Sequence, residues 1–307
     1  MMESVTRESS QSAKLPEQVF HYTSLDTLIK IVNTRELWCT AITYLNDSKE
    51  RTFLFDAVET RLRDPTWIDN SIDPNLLLRT FETEDVSSIT SFSEEPFVAC
   101  FAENGDSLLH WRAYCPQQSG VAIGFRTPCL SEAQISEKPE AGMVLPRVSF
   151  GRVGYVDTQE TALVDSIIYR AYEAAKREAE KDKNELGLND HFRWILDSVG
   201  CMNKAKSFEV ENEWRLVLPY VKYRENNIQF RTVRSTVIPY VATTVPSMTE
   251  TGIMHDFEKK KPWNAIQSIV VGPTTNMRLT VRSLEALFAL QRMDVVIAES
   301  IVPYRDW

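Results

Sequence analysis

The sequence predicts an α+β fold in which mixed, mainly antiparallel sheets are flanked by helices. Three observations support this class. Hydrophobic residues make up 43% and charged residues 25% of the 307 residues, short runs of strand-forming residues recur along the chain, and segments of helical periodicity lie between some of these runs. This composition is that of an ordinary globular protein and not of a disordered chain, so we expect a packed core.

The N-terminal half alternates short strands with helices. Residues 19–22 are a run of strand formers, and Thr23-Ser24 is a suitable cap for a helix that follows. Its apolar residues at helical spacing are Leu25, Leu28, Ile29 and Val32. The other elements predicted in this half are a strand at 37–39, helices within 50–63 and 74–79, a strand at 97–101, a helix at 107–114 and a strand at 120–125.

The C-terminal half begins with two helices and ends with strands. The clearest helix covers residues 161–183, and a second covers 190–202. Three segments are predicted to be neighbouring antiparallel strands, at 214–220, 228–234 and 237–242. The chain then repeats a simple order of a strand at 266–271, a helix at 280–291 and a strand at 294–298.

The domain organisation predicted from the sequence is simple. Residues 1–17 are rich in Ser, Glu and Gln and indicate a flexible leader. Residues 18–307 contain no internal repeat, low-complexity tract or Pro/Gly linker, which favours a single α+β domain. The polar stretch near 64–95 is interpreted as a variable insertion.

Several function classes are disfavoured by composition. A formal charge of −9 argues against coating nucleic acid through a basic surface. No stretch approaches ~18 uninterrupted apolar residues, and the N-terminus lacks the apolar middle of a secretory signal, so we expect a cytoplasmic protein without a membrane partner. The five cysteines are widely spread without C-x-x-C spacing, which indicates reduced thiols and no zinc site. Local basic strips, at 222–224 with Arg231 and Arg234 and at 259–261, are interpreted as solvated surface.

The segment most suggestive of chemistry is residues 209–215, with the sequence EVENEWR. If it is extended, period-two geometry places Glu209, Glu211 and Glu213 on one face. Such like charges repel unless nearby cations offset them or a substrate uses them. The cations that are close in sequence are Lys204, Lys206 and Arg215. An edge strand kept soluble by its charge explains the pattern about equally well.

Other polar and aromatic residues are weaker candidates when each is taken alone. His21 lies in a strand-like run that ends at a polar corner, and His110, Trp111 and Tyr114 lie on the short helix at 107–114. Residues in such positions are more often structural than ligand-binding. The cluster of Asn46, Asp47 and Glu50 is similarly explained by a helix cap and a capping box.

Taken together, these pieces resemble two families. The order of His21, the helix with Tyr114 and a glutamate opening the strand at Trp214 resembles the His-Tyr-Glu layout of the ADP-ribosyltransferase superfamily, with Glu211-Asn212-Glu213 similar to its Glu-x-Glu variant. The whole chain from about 19 to 305 resembles an uncharacterised bacterial family, domain of unknown function 2971. Its motifs are FHYTS (20–24), LNDSKE (45–50), CF (100–101), LHWRAY (109–114), GVAIGF (120–125), ENEWRL (211–216) with Lys206, IVVGP (269–273) and IVPYR (301–305).

The transferase resemblance implies a split β-sandwich fold, NAD as substrate and specific roles for residues. Glu213 would stabilise the positive charge that develops on the ribose when the bond to nicotinamide breaks, and Glu211 would orient or deprotonate the acceptor. His21 would hydrogen-bond a ribose hydroxyl, Thr23 would support the same corner, and Tyr114 would stack on nicotinamide. The residues implied to bind NAD are His21, Tyr22, Thr23, Trp111, Arg112 and Tyr114. Tyr22 departs from the superfamily pattern, which often has glycine there.

The resemblance also implies contacts to the pyrophosphate of NAD and macromolecular partners. Arg112 and Arg215 would bind the pyrophosphate of NAD, although Arg215 is also placed to pair with the acidic cluster. The expected activity is that of a toxin or phage-defence ADP-ribosyltransferase acting on a macromolecular acceptor, protein or nucleic acid, with an antitoxin as a candidate partner.

Two other classes remain open at this point. One is a metal-dependent hydrolase or nuclease in which Glu209, Glu211 and Glu213, joined by Asp47 or Glu50, hold magnesium. The other is a non-catalytic module for phage defence or toxin–antitoxin regulation that senses a ligand.

Overall fold

The computed structural model describes residues 15–46, 49, 52–67, 71–81, 95–115, 120–136, 148–181, 187–218, 227–233, 235–249, 252–255 and 262–303. Within these ranges no helix combines the length and the apolar character needed to cross a lipid bilayer. Most of the predicted leader and of the polar stretch 82–94 lies outside the described residues, and so do Asp47 and Glu50.

The described residues contain fifteen strands, eleven of which form one sheet. The strands are β1 (Gln18–Thr23), β2 (Glu36–Ala41), β3 (Phe97–Ala102), β4 (Val121–Arg126), β5 (Gln134–Ile135), β6 (Ser149–Arg152), β7 (Gly154–Val156), β8 (Asn203–Ala205), β9 (Glu213–Leu218), β10 (Ile228–Val233), β11 (Thr236–Thr244), β12 (Ser247–Thr249), β13 (Gly252–Met254), β14 (Ile266–Val271) and β15 (Val296–Glu299). The sheet runs β10-β11-β2-β3-β1-β4-β14-β15, with β9 and β6 branching from β3 and β5 from β11. Its pairs are antiparallel except β14 with β15, so the predicted mixed, mainly antiparallel α+β class is confirmed.

Eight α-helices flank the strands in the described part of the chain. They are α1 (Leu25–Thr34), α2 (Phe53–Arg63), α3 (Pro74–Leu78), α4 (Leu108–Tyr114), α5 (Thr127–Ser131), α6 (Thr161–Lys181), α7 (Leu188–Gly200) and α8 (Met277–Leu290). The predicted cap of α1 is confirmed, because the Ser24 hydroxyl accepts a hydrogen bond from the Thr27 N–H at 3.2 Å. The helix ends where Arg35 adopts a left-handed conformation with φ of 58°.

The sheet splits along one edge of β3. On the other edge, β9 pairs with all six residues of β3. On the split edge, β2 pairs only with the start of β3, through Val98 and Phe97, whereas β1 pairs only with its end, through Ala102. Because β1 and β2 pair with opposite ends of the same edge of β3, they diverge beside its middle and leave a gap between them.

Each face of the sheet has its own apolar packing. Side chains alternate along β3, so that Phe97, Ala99 and Phe101 join a large core covered by α1, α5 and α8. The opposite face packs against α4 through a cluster that includes Tyr22 and Trp111, and a further small cluster joins β3 and β9 to the end of α7. The split therefore lies between two packed layers, which fix the positions of the side chains around it.

A second large core is mainly helical. It joins α2, α3, α6 and α7, with Phe192 and Leu77 fully buried inside it. Residues 71–81, which we interpreted as part of a variable insertion, contribute Ile72 and Leu77 to this core. The strand β8 and the segment that follows it lead from this helical core back to β9.

One predicted strand arrangement is wrong. Residues 214–220 were expected to neighbour the strands at 228–234 and 237–242, but β9 instead lies between β3 and β6. All six residues of β9 are buried, which is typical of an inner strand and not of one end of a meander. The expected pairing of β10 with β11 is confirmed.

Candidate functional site

A cleft of about 900 Å³ opens where β1 and β2 diverge over β3. Its volume is within the range of small-molecule and cofactor pockets. The sequence-predicted residues that line it are His21, Tyr22, Thr23, Tyr114, Glu211 and Glu213. The fold thus brings together side chains that are as much as about 190 positions apart in sequence.

The acidic segment enters this cleft in a conformation that differs from the predicted one. Lys206–Glu211 form a 3₁₀ helix, Asn212 is left-handed with φ of 43°, and the strand β9 begins only at Glu213. Residues 209–212 are therefore not extended, and the shared face that an extended segment would give the three glutamates does not form. Glu209 instead pairs with Lys206 on the exposed surface, at 3.1 Å. Asparagine tolerates the left-handed conformation better than most residues, which allows this turn.

Glu211 and Glu213 converge on a buried cation. The Lys204 ammonium donates to Glu211 Oε2 at 2.8 Å and to Glu213 Oε2 at 3.1 Å. Arg215, which is fully buried, donates from Nε to Glu213 Oε1 at 2.8 Å and from Nη2 to Oε2 at 3.2 Å. Two acidic and two basic side chains therefore balance one another at the end of the cleft, and Arg215 belongs to this ion cluster.

Burial shapes the titration of this cluster. Burial raises the pKa of Glu213, and the charge of Lys204 opposes that rise. Burial alone would lower the pKa of Lys204, but the charges and hydrogen bonds of Glu213 and Glu211 outweigh it and raise that pKa. Burial likewise raises the pKa of Cys100, whose thiol donates to Glu213. Lys204 therefore stays charged at neutral pH, and the Cys100 thiol stays protonated.

His21 lies at the split and lines the same cleft. Its Nδ1 donates to the carbonyl oxygen of Cys100 at 2.9 Å, which leaves the lone pair of Nε2 as the acceptor of the ring. Burial lowers the pKa of His21, and the positive charge of Arg231 lowers it further, whereas the hydrogen bond to Cys100 raises it. The imidazole is therefore neutral at pH 7 and offers one acceptor to a hydroxyl group.

This titration predicts a specific pH dependence of stability. A histidine in the unfolded chain has a pKa of about 6.5, so below that pH the unfolded chain binds more protons than the folded protein at this site. The free energy of unfolding should therefore fall as pH drops below 6.5, by up to about 1.4 kcal/mol for each unit by which the folded pKa is lowered. In His21→Asn, the amide N–H can replace the bond to Cys100 without titrating.

Urea unfolding at pH 7 and pH 5 checks this expectation. The wild type should lose more stability between the two values than His21→Asn loses, since other titrating groups are the same in both proteins. An equal loss in both would contradict a neutral, buried His21.

An aromatic stack connects the cleft to α4. The rings of Tyr22 and His110 stack at 4.9 Å between centroids, and His110 and Tyr114 stack at 6.1 Å. The Tyr22 hydroxyl donates to the Asn104 carbonyl at 2.7 Å and accepts from the Ser107 N–H at 3.0 Å. Tyr22 therefore fixes the start of α4, and with it the position of Tyr114, which is partly exposed to the cleft.

Two residues proposed to bind NAD lie elsewhere. Trp111 is buried in the core, edge-on to Tyr22, and its indole N–H donates to Asp106 at 2.7 Å. Arg112 is exposed on α4 and does not line the cleft. On a helix, residues 110 and 114 share a face, whereas 111 and 112 point elsewhere, so only two of these four positions reach the cleft.

The opposite end of the cleft carries residues that the sequence did not single out as a site. Trp38 and Lys30 line it together with Arg231, which we had interpreted as part of a solvated strip. The sequence shows the alternation of residues within β2 and within β10. That alternation cannot show that two distant strands share a face.

Comparison with family models gives a match over part of the chain. Residues 110–216 match the family described as a protein of unknown function, DUF2971. The DUF2971 segment begins at His110 and ends in β9, so it includes Tyr114, Lys204, Glu211 and Glu213. The resemblance that we expected over residues 19–305 is thus shown for 110–216 only. Neither the curated proteins nor the solved structures give a match.

The positions of the glutamates can be compared with the magnesium site that the hydrolase hypothesis expects. Among the described residues, no group of three or more His, Cys, Asp or Glu side chains is arranged to hold a metal ion. Glu209 faces away from the other two glutamates, and the Lys204 ammonium lies between Glu211 and Glu213 where a cation would bind. The set of three glutamates that the hydrolase hypothesis required is therefore not assembled.

Proposed function

We propose that the cleft binds NAD and that the protein transfers its ADP-ribosyl group to an acceptor. The observation that carries this proposal is the convergence of His21, Tyr114 and Glu213 on one cleft at the split of the sheet. A ribose ring placed there has a neutral acceptor, an aromatic ring and a carboxylate around it.

Each of these groups has chemistry that suits the reaction. His21 Nε2 accepts a hydrogen bond from a ribose hydroxyl, and the Tyr114 ring packs against the nicotinamide. Glu213 stabilises the positive charge that develops at the anomeric carbon as the glycosidic bond lengthens. The low dielectric of the buried site strengthens that attraction.

The transfer breaks one bond, forms one bond and moves one proton, and none of these steps requires a metal ion. The bond between nicotinamide and the anomeric carbon breaks, and its electron pair leaves with nicotinamide, which becomes a neutral base. A nucleophilic oxygen or nitrogen of the acceptor forms the new bond to that carbon and releases its proton to a base. Glu211, the less buried of the two carboxylates, with a side chain 18% exposed, is placed to accept it.

Incubation of the purified protein with NAD tests this proposal directly. We expect the melting temperature to rise with NAD, by an amount equivalent to about 2.7 kcal/mol at one hundred times the dissociation constant. We also expect free nicotinamide to accumulate, at the same rate with and without a magnesium chelator, as measured by chromatography. The absence of both the thermal shift and nicotinamide release at millimolar NAD would refute the proposal, and turnover that requires magnesium would favour the hydrolase.

One observation favours a second candidate, a module that binds NAD without cleaving it. Both oxygens of Glu213 already accept hydrogen bonds from Arg215, and one of them also from Lys204. A carboxylate paired in this way attracts a new positive charge less strongly than an unpaired one does. A thermal shift with NAD that is not accompanied by nicotinamide would identify this second function.

A further inference from the structure

The end of the cleft opposite the glutamates is built on one face of three adjacent strands. The register pairs Tyr240 of β11 with Thr40 of β2 on one side and with Gln229 of β10 on the other, and Arg231 pairs with Ile238. Because alternate residues of a strand share a face, Trp38 and Arg231 lie on the same side of the sheet as these residues. This face continues the cleft away from the ion cluster.

Arg231 is the main charged group on this face, and its donors are incompletely used. Its Nη2 donates to the Thr40 hydroxyl at 2.9 Å, and its guanidinium carbon lies 5.8 Å from the centre of the Trp38 ring. Its Nε is buried and has no hydrogen-bond partner among the described residues. A buried donor without a partner is unfavourable, so an acceptor that reached this Nε would stabilise the guanidinium.

The charge at this end of the cleft is not neutralised by an ion pair. In the described ranges, no carboxylate lies within ion-pair distance of Arg231 or Lys30, whereas Lys204 and Arg215 are both engaged by glutamates. Glu36 also lines the cleft, which leaves one net positive charge at this end. An anionic ligand is therefore favoured at this end over a cationic one.

Trp38 adds an aromatic wall beside this charge. Its ring stacks on Tyr240 with 4.4 Å between centroids, and the Lys30 ammonium lies 5.5 Å from its centre. The stack and the two cations hold the indole in place, so it offers a rigid apolar surface next to the charged donors. A ligand that fits both features carries phosphate groups and a flat aromatic ring.

We propose that Arg231, Lys30 and Trp38 form a subsite for the ADP half of NAD, in which Arg231 and Lys30 hold the diphosphate and Trp38 packs against the attached nucleoside. The subsite rests on the proposed function for the identity of the ligand as NAD. Its affinity for ADP does not depend on that function, because ADP has no bond to nicotinamide. Arg231 and His21 line the same cleft, so one ligand can contact both of its ends.

Calorimetric titration with ADP, adenosine and inorganic pyrophosphate tests the subsite. We expect the wild type to bind ADP more tightly than adenosine, and pyrophosphate to compete with ADP. Arg231→Met should weaken ADP binding roughly 10- to 100-fold, the range for hydrogen bonds to charged groups. The matched control is Arg63→Met, because Arg63 is an exposed arginine on α2 that pairs with Glu59 and should leave ADP affinity unchanged. Melting temperatures of both variants show whether they fold.

If Arg231→Met does not fold, Lys30→Met provides the test, since Lys30 is exposed on α1 and should weaken ADP in the same direction. Equal ADP affinity in the wild type and the cleft variants, or no ADP binding by the wild type at millimolar concentration, would overturn the subsite. If the wild type releases nicotinamide from NAD but does not bind ADP, the subsite would be refuted and the proposed transferase activity would stand. If Arg231→Met loses ADP binding and the wild type leaves NAD uncleaved, the subsite would be supported and the proposed transferase activity would be refuted.

Discussion

Replacing Arg215 by methionine is expected to lower the free energy of unfolding by about 3–5 kcal/mol, the usual cost of removing one partner from a buried ion pair. Arg215 is fully buried, and its guanidinium binds both oxygens of Glu213. Its Nη1 also donates to the carbonyl oxygen of Cys201 at 2.7 Å. The methionine would leave Glu213 with Lys204 as its remaining cationic partner and would remove this bond to Cys201.

Urea unfolding at pH 7 measures this effect, with Arg63→Met as the control. The Arg63 side chain is 58% exposed and pairs with Glu59 on the surface of α2, so its replacement should change stability by about 0.5 kcal/mol or less. In a double-mutant cycle, Arg215→Met combined with Glu213→Gln should cost less than the sum of the single changes, by about 1–3 kcal/mol. A loss below about 1 kcal/mol in Arg215→Met would show that the ion cluster is not buried as described.

The order of strands and helices was predictable because it depends on local patterns. The cap at Ser24, the continuous apolar run of residues 97–101 and the helical spacing of residues 161–183 are all short-range signals, and the structure has α1, β3 and α6 at these places. The strand that was predicted to begin at Trp214 begins one residue earlier, at Glu213.

The assembly of the site was less predictable because it depends on contacts across the sheet. The 3₁₀ helix at Lys206–Glu211 is favoured by the buried bonds of Lys204 to Glu211 and Glu213, and alternating glutamates give no sign of it. The burial of Trp111 follows from the packing of α4 on Tyr22. The approach of Arg231 to Trp38 requires β11 to lie between β2 and β10, an order that local periodicity cannot supply.

Replacement of Glu213 by glutamine is expected to reduce nicotinamide release by about 10²–10³-fold, the usual effect of removing one group that stabilises transition-state charge. Glutamine preserves the shape of the side chain and removes its negative charge. Binding of NAD should change less than turnover does, because the charge on the ribose develops only as the glycosidic bond breaks. The readouts are initial rates of nicotinamide release and NAD affinity by calorimetry, well below the melting temperature of each variant.

The chain offers a matched control in Glu209→Gln, which removes the same charge four residues earlier. The Glu209 side chain is 55% exposed and pairs with Lys206, so its rate of nicotinamide release should equal that of the wild type. The variant Glu211→Gln distinguishes the role of Glu211 from that of Glu213. If Glu211 accepts the proton of the acceptor and Glu213 stabilises the ribose, Glu211→Gln should lower nicotinamide release less than Glu213→Gln does, because bond breaking precedes most of the proton transfer. Similar rates in Glu209→Gln and Glu213→Gln would mean that the buried carboxylate has a structural role and does not stabilise the charge on the ribose.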